Sequence, residues 1–179
     1  MMNIKPGDFC CVPISGSLGK LVSFGEWLDG SGFTDYDHAE IFVGMADEKG
    51  PYGYTLGAYP DGAHLVPLPV QPFDMYDALW STGHISLTTE QRDAIVISAV
   101  KLTGTPYSAL DYFALVAHRL HMPVPLLRDY ISSTEHMICS QLVDYVYSEA
   151  GVHLFTDGRW PGYVTPADLA HVIISDRFA

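Results

Sequence analysis

The sequence predicts an α+β domain. Three observations carry that prediction. Strand-like alternation falls mostly in the first half of the chain, helical periods with cap signals fall mostly in the second, and glycine or proline turns separate the two kinds of segment. At 179 residues and 48% hydrophobic, the chain is long enough to bury one substantial core. No internal repeat, low-complexity tract or long linker divides it, so residues 1–179 are expected to form a single domain.

The elements follow in order. Pro6-Gly7 turns the chain into Asp8-Phe9-Cys10-Cys11-Val12-Pro13, a short strand closed by proline. Leu18, Leu21, Val22, Phe24 and Leu28 recur at helical spacing, and Gly30-Ser31-Gly32 ends that helix. From His38 to Val43 the chain alternates: His38, Glu40 and Phe42 share one face, and Ala39, Ile41 and Val43 share the other. Strands over 52–59 and 63–68 are joined by the turn Pro60-Asp61-Gly62, and His84-Ile85-Ser86-Leu87 reads as a further strand. Thr88-Thr89-Glu90-Gln91 is a helix start, and that helix runs towards Leu102 before Gly104-Thr105-Pro106 stops it. Helices are expected over 108–120 and over 139–150, the latter ending at Gly151. Thr165-Pro166-Ala167-Asp168 opens a last short helix, with threonine as cap and proline in the first turn.

Composition excludes some functions. Asp and Glu total 21 against 9 Lys and Arg, and no stretch concentrates basic residues, which argues against a nucleic-acid partner. The first residues lack the apolar core of a signal peptide and no apolar run reaches spanning length, so a cytoplasmic protein without a transmembrane segment is expected, one that could be released by lysis or carried in a particle. Three cysteines do not make a disulfide framework, and adjacent Cys10 and Cys11 would point to opposite strand faces. Gly16-Ser17-Leu18-Gly19-Lys20 is too short for a phosphate-binding loop. His118 and His121 lie three apart on an expected helix with no third ligand beside them, which favours a solvated or capping pair over a metal site. No cofactor or metal is expected.

Cys139 and His38 remain as candidates for chemistry. Cys139 falls on the apolar face of its helix with Val143, Val146 and Ala150, as a buried structural cysteine would. It also falls at the helix N-terminus, where unpaired N–H groups and the dipole favour a thiolate. His38 could bond a loop carbonyl, or it could present its imidazole to a thiol with Glu40 holding the ring from the same strand face.

In order along the chain, Ile4-Lys5-Pro6-Gly7-Asp8-Phe9, Asp37-His38-Ala39-Glu40-Ile41-Phe42-Val43-Gly44, Gly104-Thr105-Pro106-Tyr107, Ile138-Cys139-Ser140-Gln141-Leu142-Val143 and Val164-Thr165-Pro166-Ala167-Asp168-Leu169 form a series. It resembles the motifs "PGD", "sHagIyiG", "G-x-PY", "CSeLv" and "TP-x-dL" of the NlpC/P60 superfamily of papain-like cysteine hydrolases. His before Cys resembles its circularly permuted branch, the YiiX/YaeF-like and lecithin retinol acyltransferase-like groups. The resemblance implies a permuted papain-like fold, a small antiparallel sheet packed against helices. Cys139 would be the nucleophile and His38 its base.

Two departures stand out. Glu40 occupies a position that is usually small, and the next strand lacks the usual polar partner for the histidine. Either Glu40, or else Thr55, would then hold the ring, with His64 one strand further on, or the triad is degenerate and has no third member. The implied reaction is hydrolysis of an amide bond in a cell-wall peptide or related isopeptide, so the expected partner is a peptide or peptidoglycan-like substrate. Lipid acyl transfer or thioester hydrolysis on the same fold is the enzymatic alternative. A module that keeps the fold but only binds a peptide or protein is the non-catalytic one.

Overall fold

The computed structural model describes residues 3–13, 36–45, 53–68, 77–107, 137–159 and 164–175. These form strands β1 (Phe9–Val12), β2 (His38–Met45), β3 (Gly53–Tyr59), β4 (Gly62–Pro67) and β5 (Leu79–Trp80), with helices α1 (Thr89–Lys101), α2 (Cys139–Glu149) and α3 (Pro166–Ile174). The expected α+β class is thus borne out among the described residues. The helices read over 18–28 and 108–120, with His118 and His121, lie outside them.

The strands make one antiparallel sheet in the order β4-β3-β2-β1-β5. One face carries Phe9, Cys11, Ala39, Ile41, Leu56 and Ala58, which join Ile95, Leu142, Val143, Val146 and Leu169 from the helices in the main core. On the other face Cys10, Val12, Phe42 and Trp80 form a second buried cluster. Alternation along β1 therefore sends its two cysteines in opposite directions, as their adjacency predicts, and neither is in a disulfide.

Sequence signals mark each helix start. Thr88 Oγ1 accepts the Gln91 N–H at 3.2 Å and Gln91 Oε1 accepts the Thr88 N–H at 2.9 Å, a capping box at the head of α1. Thr165 and Asp168 make the same exchange at α3, at 3.1 and 2.9 Å. α2 ends at Glu149, with Ala150 as its C-cap and Gly151 following at φ +72°.

One strand expectation fails. Residues 84–87 form no strand; the sheet is completed instead by Leu79–Trp80, paired with Cys11 and Cys10. Immediately afterwards the His84 and Ile85 N–H groups both turn back to the Ser81 carbonyl, at 3.0 and 3.3 Å. The apolar alternation at 84–87 thus belongs to a turn that drops Ile85 into the core.

The opening Pro6-Gly7-Asp8 is tied to two helices. Buried Asp8 accepts from Arg92 Nη1 at 2.7 Å and from Thr82 Oγ1 at 2.8 Å, and Tyr147 OH donates to the Gly7 carbonyl at 2.6 Å. Gly7 has φ +88° and its Cα faces the Arg92 backbone, with a Cβ there falling 3.3 Å from Arg92 Cα. A side chain at this position would meet both restraints at once. No helix among the described residues is long and apolar enough to cross a membrane.

Candidate active site

His38 begins β2, where Val12 of β1 is its cross-strand partner. Period two then places Glu40 on the same face, and the two side chains meet: His38 Nε2 lies 3.3 Å from Glu40 Oε1. The ring also hydrogen-bonds the Cys139 side chain. The three residues singled out in the sequence are therefore brought together in series as thiol, imidazole and carboxylate. His38 and Cys139 are 4% and 5% exposed, and Glu40 is fully buried.

Cys139 is the first residue of α2, and its N-cap is Ile138. Isoleucine has no acceptor, so it cannot cap the first turn through its side chain. Half of a capping box remains: Gln141 Oε1 accepts the Ile138 N–H at 3.0 Å. Intrahelical bonding begins with the Leu142 N–H to the Ile138 carbonyl at 3.1 Å. Cys139 thus sits at the positive end of the α2 dipole. Ser140 Oγ donates to the Val164 carbonyl at 2.7 Å and fixes this end of α2 to the approach of α3.

A buried carboxylate needs compensation of several kcal/mol, and Glu40 receives it from β3. Thr55 Oγ1 donates to Oε2 at 2.5 Å, and Tyr59 OH donates to Oε1 beside His38. Burial pushes Glu40 upward, yet its hydrogen bond and charge interaction with His38, followed by the Thr55 and Tyr59 hydroxyls, bring it below the ordinary carboxyl value. His38 shows the converse balance. Burial pulls it down, but the Cys139 charge and hydrogen bond, then those of Glu40, raise it from 6.5 to about 10. Together these interactions favour the protonated imidazole.

Cys10 stands opposite Glu40 in the ladder and behaves in the contrary way. Burial first, and then the Glu40 charge, raise its thiol well above the ordinary value. Burial, with the Glu40 charge second, thus favours the protonated thiol at Cys10.

Thr55 Oγ1 donates to the carboxylate that in turn contacts the ring. His64 reaches neither Glu40 nor His38 directly: its ring stacks on Tyr59, with centroids 4.4 Å apart and 20° between planes. Tyr59 is the site residue that the sequence reading missed. A strand-ending tyrosine resembles any core aromatic, but Thr55, Gly57 and Tyr59 share a face of β3 by period two, and that face meets Glu40. Among the described residues no group of three or more His, Cys, Asp or Glu is arranged to hold a metal.

A cavity of about 460 Å³ lies elsewhere, between the 154–159 segment and α3, lined by Phe155, Arg159, Asp168 and His171 among others. Arg159 is committed there, to Asp157 through Nη2 at 2.6 Å and to Asp168 through Nη1 at 2.9 Å. The second contact is an ion pair out of line for a hydrogen bond. Cys139, His38 and Glu40 do not line this cavity.

No model of a known protein family matches the chain, and no curated protein matches it.

Proposed function

We propose that the protein is a cysteine hydrolase of the permuted papain-like, NlpC/P60 kind, cleaving an amide bond in a cell-wall peptide or related isopeptide. The observation that carries the reading is His38 set between the Cys139 thiol at a helix N-terminus and the buried, hydroxyl-held Glu40 carboxylate. The substrate class rests on the motif resemblance.

The reaction uses the thiolate form of Cys139 with the proton on His38. The sulfur attacks the scissile carbonyl carbon, and the Cys139 backbone N–H at the head of α2 donates to the oxyanion. Collapse breaks the C–N bond, and His38 gives its proton to the departing amine. The largest supports for that proton are the Cys139 charge and hydrogen bond. Acylation removes both, so burial then works against the imidazolium and the proton becomes easier to donate at the step that needs it. Neutral His38 next takes a proton from water, hydroxide equivalent adds to the thioester, and the thiolate–imidazolium pair returns with release of the acid. Glu40 keeps the ring in line throughout.

The test is acid-quench mass spectrometry of the protein mixed with a panel of short cell-wall peptides, isopeptides, and fatty-acyl esters and thioesters. An acyl adduct mapped to Cys139, with turnover abolished in Cys139→Ala, is expected for a peptide or isopeptide. An adduct only from the acyl esters would move the substrate to lipids. Turnover that survives Cys139→Ala would sink the hydrolase mechanism.

A further inference from the structure

We infer that Tyr59 is a positioning residue for the Cys139–His38 pair: its hydroxyl, seated by the His64 ring stacked against it, holds Glu40 as a carboxylate so that the shared proton stays on His38. The inference rests on the hydrolase reading above and extends it to a residue that touches neither the sulfur nor the scissile bond.

The argument starts from what a buried acid–imidazole pair can do. One proton between Glu40 and His38 can make a carboxylate with an imidazolium, or a carboxylic acid with a neutral imidazole. Burial favours the uncharged arrangement, because both ions lose water. Donors to the carboxylate favour the charged one, and their number decides the outcome. Besides facing His38, Glu40 accepts from Thr55 on Oε2 and from Tyr59 on Oε1. Oε1 is the oxygen that also faces His38 Nε2, so Tyr59 acts on the atom that would otherwise take the proton.

Tyr59 is placed for this by its neighbours on three sides. Its ring contacts the His38 ring with centroids 5.3 Å apart and 47° between planes. The other side is covered by the His64 ring, whose Nδ1 lies 3.6 Å from Asp61 Oδ1. Between Tyr59 and Glu40 runs Gly57, where a Cβ would fall 2.9 Å from Tyr59 Cε2 and 3.0 Å from Glu40 Oε1. A glycine in mid-strand weakens the sheet unless something needs the space, and here the phenol and the carboxylate do.

The titratable groups around this arrangement come from every neighbouring element described. Glu40 faces His38 on its own strand, Cys10 on β1 and Tyr59 on β3, while His64 on β4 faces Tyr59 and Cys139 on α2 reaches Glu40 through His38. Cys10 is held protonated, so it adds no competing charge.

The experiment is the rate of iodoacetamide labelling at Cys139 between about pH 5 and 10, with Cys10 and Cys11 separated by peptide mapping. It compares the native chain, Tyr59→Phe, Glu40→Gln and the double variant. Tyr59→Phe is expected to move the rise in labelling up by about one pH unit, making labelling on the rising limb about tenfold slower. It should add no further shift once Glu40→Gln has removed the carboxylate it acts on. At neutral pH the ¹⁵N signals of His38 should move from the imidazolium towards the neutral pattern in Tyr59→Phe. Should that variant not fold, His64→Ala removes the seating ring while leaving every group at Glu40, and a smaller shift in the same direction is expected. A Tyr59→Phe profile lying on the native one overturns the inference and leaves the dyad standing. So does a shift of equal size in the Glu40→Gln background, since Tyr59 would then act without Glu40. A native profile that rises only with an ordinary thiol removes the dyad itself, and this inference with it.

Discussion

Gly57 lies directly across the β2–β3 ladder from Glu40, and a methyl group on it would fall 3.0 Å from the Glu40 Oε1 atom. The carboxylate that orients the histidine thus comes from the histidine's own strand, and the residue opposite contributes its absence of a side chain. The buried acid and the small residue that leaves it room are cross-strand partners.

Gly57→Ala should therefore damage the site and the sheet together. The added carbon would also lie 2.9 Å from the Tyr59 ring, and neither neighbour can swing away without giving up a buried hydrogen bond. Overpacking of this kind costs about 1–3 kcal/mol. Urea unfolding should show the loss in midpoint, and kcat/KM should fall more than Tyr59→Phe alone produces. A variant with native stability and native activity would contradict the crowding argument.

On the proposed hydrolase mechanism, activity should fall on the alkaline side as His38 loses its proton. Burial lowers and the Cys139 and Glu40 interactions raise its value, with the net at about 10. The pair needs an imidazolium, so kcat/KM should hold through neutral pH and fall as pH passes about 10. A profile that instead rises through the ordinary histidine range, about 6 to 7, would mean that His38 works as a neutral base on a neutral thiol.

Asp144 should make the fold less stable at neutral pH than at acid pH. It is buried on α2, and burial, opposed by Arg159 and His153 and reinforced by Asp157 and Asp168, raises it from 3.8 to about 6. Because the folded value lies above the unfolded one, the neutral acid's contribution is complete below about pH 4 and is lost as pH rises through about 6. Asp144→Asn should then stabilise by about 2–3 kcal/mol above pH 7 and by almost nothing near pH 3.5. Equal effects at both pH values would show that the carboxyl is not titrating.

The sequence made parts of this site legible because two local rules apply there without tertiary help. Strand alternation put His38 and Glu40 on one face, and the helix-start pattern put Cys139 at an N-terminus. The caps at Thr88 and Thr165 were readable for the same reason. What could not be read depends on register. Thr55 looked like a substitute for the orienting residue, and only the pairing of β2 with β3 shows that it serves Glu40 instead. Tyr59 carried no distinguishing pattern. β5 spans two residues, too few for any period, whereas the alternation at 84–87 was strong but belonged to a turn. The papain-like permutation itself is a property of chain order around a fold, and it remains the proposal that the motif series supports.

The tie between Gly7 and Tyr147 also bears on the order of events during synthesis. The two residues are 140 positions apart, and β1, an interior strand, is bonded to a β5 that lies some seventy residues downstream. Contacts this distant in sequence form slowly and close late. As the chain leaves the ribosome, His38 and Glu40 exist long before the helix that carries the thiol. On the hydrolase reading proposed above, a chain cut short anywhere before α2 would hold the imidazole and the carboxylate without the thiol.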